Sequence, residues 1–271
     1  MKRASLLPTK GPFRADQLRP GDPYELSHGH AIQCFPTGGR GARAISAGAR
    51  ALATDPAVQD VGFDTGFSPA PDMLRAPDLA VGAIPDEPGW VKGTPPLAVE
   101  YADTGQDEAK LEEKICDLLE AGTRFVWVVR LTGSRRVEVH RSGEPMRIVH
   151  PGSHLEAPGI LANPLPVEAL YDRDVSDEVS LRNLLQRHGY ASLDEVRAEG
   201  EAKGEAKGEA RGEVQGEVAA LRSVILEVFA ARGLRVGEDV EALIAGCKDP
   251  AQLRRWHRQA ITATNAAELI P

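Results

Sequence analysis

The stretch Arg124–Leu131, RFVWVVRL, constrains the fold of this chain more than any other. Phe125 to Val129 is an unbroken apolar run, too short for a buried helix and rich in β-branched and aromatic residues. It lacks the alternation of a strand with one wet face, so it predicts a strand covered on both sides. Leu97-Ala98-Val99-Glu100-Tyr101 is a second such run, but it carries a carboxylate near its end. Between the two, Asp107–Ala121 sets Leu111, Ile115, Leu118 and Leu119 at helical spacing, and Gly122 terminates it. The order strand, helix, strand predicts an α/β domain.

Other segments extend this reading. Tyr24–Phe35 predicts a β-hairpin bending near Gly29, and Ala42–Ala53 a helix that Gly48 weakens. Strands are expected over Val58–Gly66, Asp78–Ala83, Val137–Arg141 and Met146–His150, the last two joined by the turn Ser142-Gly143-Glu144-Pro145. Beyond about residue 165 the texture changes. A short helix over Ser180–His188 precedes the repeat GEAKGEAKGEARGEVQGEV, with glycines at 200, 204, 208, 212 and 216. Its Glu/Lys neighbours favour helix, while each glycine opposes it by about 1 kcal/mol, so a helical or fraying linker is expected. Val218–Ala231, Val240–Cys247 and Pro250–Thr264 read as helices, the last capped by Asp249 with proline in its first turn. The expected organisation is a loose tail over 1–15, an α/β domain over 16–165, a helix and repeat linker over 166–217, and a helical module over 218–271. The repeat and the helix after it suggest a homodimer through paired C-terminal helices; a hairpin within one chain is the alternative.

Composition narrows the function classes. No stretch approaches the roughly 20 apolar residues of a membrane span, and the N-terminus lacks the apolar core of a signal peptide; a cytoplasmic protein is expected. The three cysteines, Cys34, Cys116 and Cys247, are far apart and form no CxxC pair, which predicts reduced, mostly buried thiols and no structural zinc. The formal net charge is −8. Residues 1–165 carry 18 basic and 21 acidic side chains, so the chain lacks the basic excess of a protein that grips nucleic acid non-specifically. Nucleic-acid binding would need a local patch, for which Arg40 and Arg43 are candidates.

Two carboxylates stand out. Asp78 opens an apolar strand after a proline, and Glu100 sits near the end of a buried one. Burying unpaired carboxylates is costly, and a hard cation held by oxygen ligands removes that cost. On the helix wheel Lys114 lies about 60° from Leu111 and about 40° from Leu118. It therefore edges the apolar stripe, whereas Lys110 points further toward solvent. Plainer readings exist for each residue: a turn-capping aspartate, a solvated strand-end glutamate, a snorkelling lysine. His28 and His30 flank Gly29 and would share a strand face, a weak metal pair.

The ordered set Tyr24-Glu25-Leu26 with Gly29, Arg75-Ala76-Pro77-Asp78-Leu79, Leu97-Ala98-Val99-Glu100, and Lys114 to Gly122 followed by Phe125–Val129 resembles the PD-(D/E)XK nuclease superfamily. Within it, the set is similar to the bacterial Uma-two family of restriction-endonuclease-like proteins, in which the lysine has moved to the helix. Here Ala102 fills the lysine's usual place and Lys114 stands eight residues before Gly122. Arg40-Gly41-Ala42-Arg43 and Asp103-Thr104-Gly105 depart from the family's pattern. The resemblance covers about residues 20–150. It implies a restriction-endonuclease-like mixed sheet flanked by helices, and a magnesium- or manganese-dependent endonuclease acting on DNA. Asp78, Glu100 and the Tyr101 carbonyl would hold the metal, Glu25 would complete its shell, and Lys114 would assist the attacking water. The alternative is a nuclease-fold binding module without turnover, acting through its helical tail.

Overall fold

The computed structural model describes residues 11–269. It divides into two compact units, residues 1–192 and 193–271.

The first unit is built on a mixed sheet. A hairpin, β1 (Tyr24–Ser27) and β2 (His30–Gln33), precedes helix α1 (Gly39–Ala53). Then come β3 (Asp60–Phe63), β4 (Phe67–Ser68), β5 (Leu79–Gly82), β6 (Val91–Lys92), β7 (Leu97–Ala102), helix α2 (Glu108–Glu120), β8 (Phe125–Arg130), β9 (Arg136–His140) and β10 (Arg147–Val149). The six-stranded sheet has the order β10-β9-β8-β7-β5-β3. Only β7 and β8 run parallel in it, and parallel neighbours require a crossover, which α2 supplies. After two short strands, β11 (His154–Leu155) and β12 (Leu165–Pro166), helix α3 (Arg173–Arg187) closes the unit.

Strand alternation sorts the central side chains onto two faces. Leu97, Val99, Tyr101, Phe125, Trp127 and Val129 join Ala44, Leu52, Leu170 and Val179 in the main core. Ala98, Ala102, Val126 and Val128 meet Leu111, Ile115 and Leu118 of α2. Glu100 belongs to this second face by parity, directly under α2. Gly48, expected only to weaken α1, has a packing role: a Cβ there would overlap the Tyr101 hydroxyl.

Three features differ from the sequence reading. Residues 11–15 are not a loose tail: Phe13 and Ala15 pack with Leu18, Leu26 and Leu74, and Trp90 donates from Nε1 to the Ala15 carbonyl; residues 1–10 lie outside the described residues. Helix α3 begins seven residues before Ser180 and belongs to the first unit. Ser176 donates to the Ala47 carbonyl over 2.7 Å, and Arg187 donates to the carbonyls of Ala53, Asp55 and Val58 beyond the end of α1. These contacts are between residues more than 120 positions apart, which no local pattern records. Cys34 and Cys116 are exposed and Cys247 half-buried, against the expectation of buried thiols; Cys116 falls on the outer face of α2 and Cys34 in the loop after β2.

In the second unit the repeat is helical throughout, as part of α4 (Leu193–Ala231). Gly233, with φ +68°, ends that helix, and the Leu234 N–H returns to the Phe229 carbonyl. Helices α5 (Glu238–Gly246) and α6 (Pro250–Thr262) fold against its C-terminal part around Ile225, Phe229, Ile244, Leu253 and Trp256. Asp249 caps α6 by accepting from the Ala251 N–H. Among the described residues, no helix is long and apolar enough to cross a membrane.

Candidate functional site

The register of β5 on β7 builds the site. Leu79 faces Val99 and Ala80 faces Ala98. One pair further along the same register, Asp78 stands opposite Glu100, and directly opposed residues of an antiparallel pair lie close together. The next pair sets Pro77 opposite Tyr101. Proline has no N–H to give to the ladder, so the Tyr101 carbonyl lacks its cross-strand donor. The Tyr101 N–H is taken by Asp78 Oδ2 at 2.6 Å. A strand residue sends its N–H and C=O to the same side, so that open carbonyl faces the edge where Asp78 sits.

Lys114 reaches this point from α2. Its ammonium donates to the Ala76 carbonyl at 2.7 Å and to Glu25 Oε1 at 3.0 Å. It also lies 2.9 Å from Glu100 Oε1, a buried ion pair. Lys110, one turn earlier, is 54% exposed in its side chain against 14% for Lys114, as the helix wheel requires. The structure therefore brings Asp78, Glu100, Tyr101, Glu25 and Lys114 together. Glu25, half of a hairpin strand, is buried at the centre of the cluster.

Three further residues join that sequence reasoning had not singled out for the site. Arg75 is 2% exposed. It donates from Nε to Asp117 Oδ2 at 2.8 Å, from Nη2 to the same oxygen, and from Nη1 to Glu25 Oε2 at 3.2 Å. Lys114, Glu25, Arg75 and Asp117 thus form a chain of alternating charge, with Glu113 3.6 Å from Arg75 Nη2. Asp64 follows β3, and its N–H points to the Asp78 carbonyl over 3.4 Å. It adopts a left-handed backbone, φ +46°, and its charge is felt at Asp78. Asp117 was hidden because its burial comes from the segment around Arg75, not from its own helix. The sequence signal for Arg75 was only its place three residues before Asp78.

Asp78 and Glu100 add two further carboxylates to this chain of charges, and Lys114 is 2.9 Å from Glu100. Burial raises the Glu100 carboxyl to about 8; Lys114 opposes the rise, while Asp78 and Glu25 add to it. Burial also raises Asp78, against the pull of Lys114 and the Tyr101 N–H. For Lys114, burial pulls downward, but Glu100, Glu25 and Asp78 outweigh it and hold the ammonium above its usual value. Lys114 is thus held in its charged form by the surrounding carboxylates. Among the described residues no three acidic, histidine or cysteine side chains converge as a metal-ligand group. The donor set nonetheless fits a hard cation: two largely buried carboxylates and a backbone carbonyl whose cross-strand position is filled by proline.

The peripheral candidates fare differently. Arg40 is engaged by Asp103 and by Thr104 Oγ1, so it is not a free phosphate contact. Arg43 is exposed in the first turns of α1. His28 and His30 do not share a strand: His28 and Gly29 both take positive φ and make the hairpin turn.

No family model matches the chain, and no curated protein does. Among solved structures the chain is similar to one described as a "putative nuclease belonging to DUF820" from Anabaena variabilis. The TM-score is 0.51 and the identity 18%, over 60% of this chain and 99% of that one. The two share a fold, a mixed α/β sheet flanked by helices; in this chain a helical C-terminal region follows it.

Proposed function

We propose that this chain is a metal-dependent endonuclease that hydrolyses phosphodiester bonds, in DNA by preference. The observation that carries the reading is the meeting of Asp78 and Glu100 across one strand pair, with an open Tyr101 carbonyl beside them and the Lys114 ammonium against Glu100. Asp78, Glu100 and that carbonyl would hold Mg²⁺ or Mn²⁺, with Glu25 too committed to Lys114 and Arg75 to act as a first ligand. The ion supplies Lewis-acid stabilisation of charge on the phosphate and lowers the pKa of water. Lys114 contributes a fixed positive charge that orients the attacking water and offsets charge gathering on the phosphate. Arg43, exposed on α1, would be one cation for contact with the nucleic-acid backbone. Self-association through α4 belongs to the same proposal, since it would set two sites on one duplex.

The experiment is cleavage of duplex and single-stranded DNA and of RNA with Mg²⁺ or Mn²⁺. Glu100→Ala and Lys114→Ala should each slow cleavage about a hundredfold or more. Wild type cutting no faster than the double variant on every substrate would end this reading.

A further inference from the structure

We propose that the buried Arg75–Asp117 ion pair is a positioning device for Lys114, clasping the segment that leads into Asp78 onto α2. The inference rests on the metal-nuclease reading for its catalytic meaning, but its geometry is independent of it. Arg75 is one residue before Ala76, whose carbonyl takes the Lys114 ammonium, and three before Asp78. Asp117 is three residues after Lys114 on the same helix, so both contacts fall on one side of α2. Two guanidinium nitrogens close on Asp117 Oδ2 while the third holds Glu25 Oε2, leaving Glu25 Oε1 for Lys114.

A lysine needs such a clasp. Its stem has about 1.5–2 kcal/mol of rotamer freedom to lose, and Glu25, Glu100 and Asp78 all attract it. Asp78 and Glu100 are held otherwise, Glu100 within β7 and Asp78 next to the end of β5 with its Oδ2 accepting from the Tyr101 N–H. Arg75 and Asp117 therefore bear on the lysine and leave the carboxylate pair alone.

The test uses the full chain. Replacing a buried pair together by apolar residues of similar volume is often tolerated, and Glu25 keeps Lys114 as its cation, so Arg75→Met with Asp117→Met is the main variant. Arg75→Lys is the second; it keeps the charge but cannot span both carboxylates. Lys114 acetylation by acetic anhydride is read by mass spectrometry, with exposed Lys110 as internal standard. In the folded variants, Lys114 labelling should rise about tenfold as the local contacts loosen. The Mn²⁺-induced rise in Tm should persist. With activity present, kcat should fall about 10- to 100-fold with KM little changed. Lys114 staying as protected as in wild type, or losing the Mn²⁺ response together with its protection, overturns the proposal. A wild type that neither answers to Mn²⁺ nor cuts defeats the proposed function, and the labelling still decides the clasp.

Discussion

At the scale of single residues, the cluster around Glu100 makes stability depend on pH in an unusual direction. Most native carboxylates titrate low and stabilise a protein as pH rises. Glu100 is raised by burial from 4.5 to about 8, so its neutral form is the one the folded state favours. Its contribution is complete below pH 4.5 and is lost as pH climbs through 8. Without metal, wild type should lose melting temperature over that interval, and Glu100→Gln should lose less; thermal melts in chelator check this. Mn²⁺ should restore wild type at the upper end. Pro77 offers a second measurement. Pro77→Ala supplies the missing N–H, lets β5 pair one rung further, and should shrink the Mn²⁺-induced rise in Tm. How much of this site was legible follows the same scale. Asp78, Glu100 and Lys114 could be read because each breaks a local apolar pattern. Arg75, Asp117 and Asp64 could not, because partners far along the chain decide their burial and charge. Glu25 sat between these cases: its place in a hairpin was readable, its two cations were not.

At the scale of elements, the continuous apolar strands and the α2 stripe made the central strands and the helix between them legible in the sequence. Boundaries were less visible. Helix α3 has a weak apolar stripe, and its anchors are side chains that grip backbone carbonyls at and beyond the end of α1. Helix α1 shows the complementary case, a glycine disfavoured by propensity but required by the Tyr101 hydroxyl. Gly48→Ala should gain a few tenths of a kcal/mol or more in helix propensity yet lose about 1–3 kcal/mol to overpacking. The net result should be a lower Tm in a thermal melt. The repeat in α4 should respond oppositely. Its five glycines meet nothing within 4 Å, so alanine at 204, 208 and 212 adds about 1 kcal/mol of helix preference at each position without a clash. Far-UV circular dichroism should show more helix, with the unfolding of the sheet unchanged.

At the scale of the whole molecule, each unit has its own core, one around the sheet and one around Phe229 and Trp256. Residues 11–192 expressed alone should melt cooperatively, whereas a chain ending at residue 165 should not, because it lacks the α3 side chains that hold α1. The exposed stretch of α4 has a consequence for how the protein meets proteases. Its side chains from 201 to 216 are open to solvent on every face, and its glycines make local opening easy. Under limited digestion this helix is the fuse of the molecule. The first nick should fall within the repeat, and a resistant α/β fragment should outlast it.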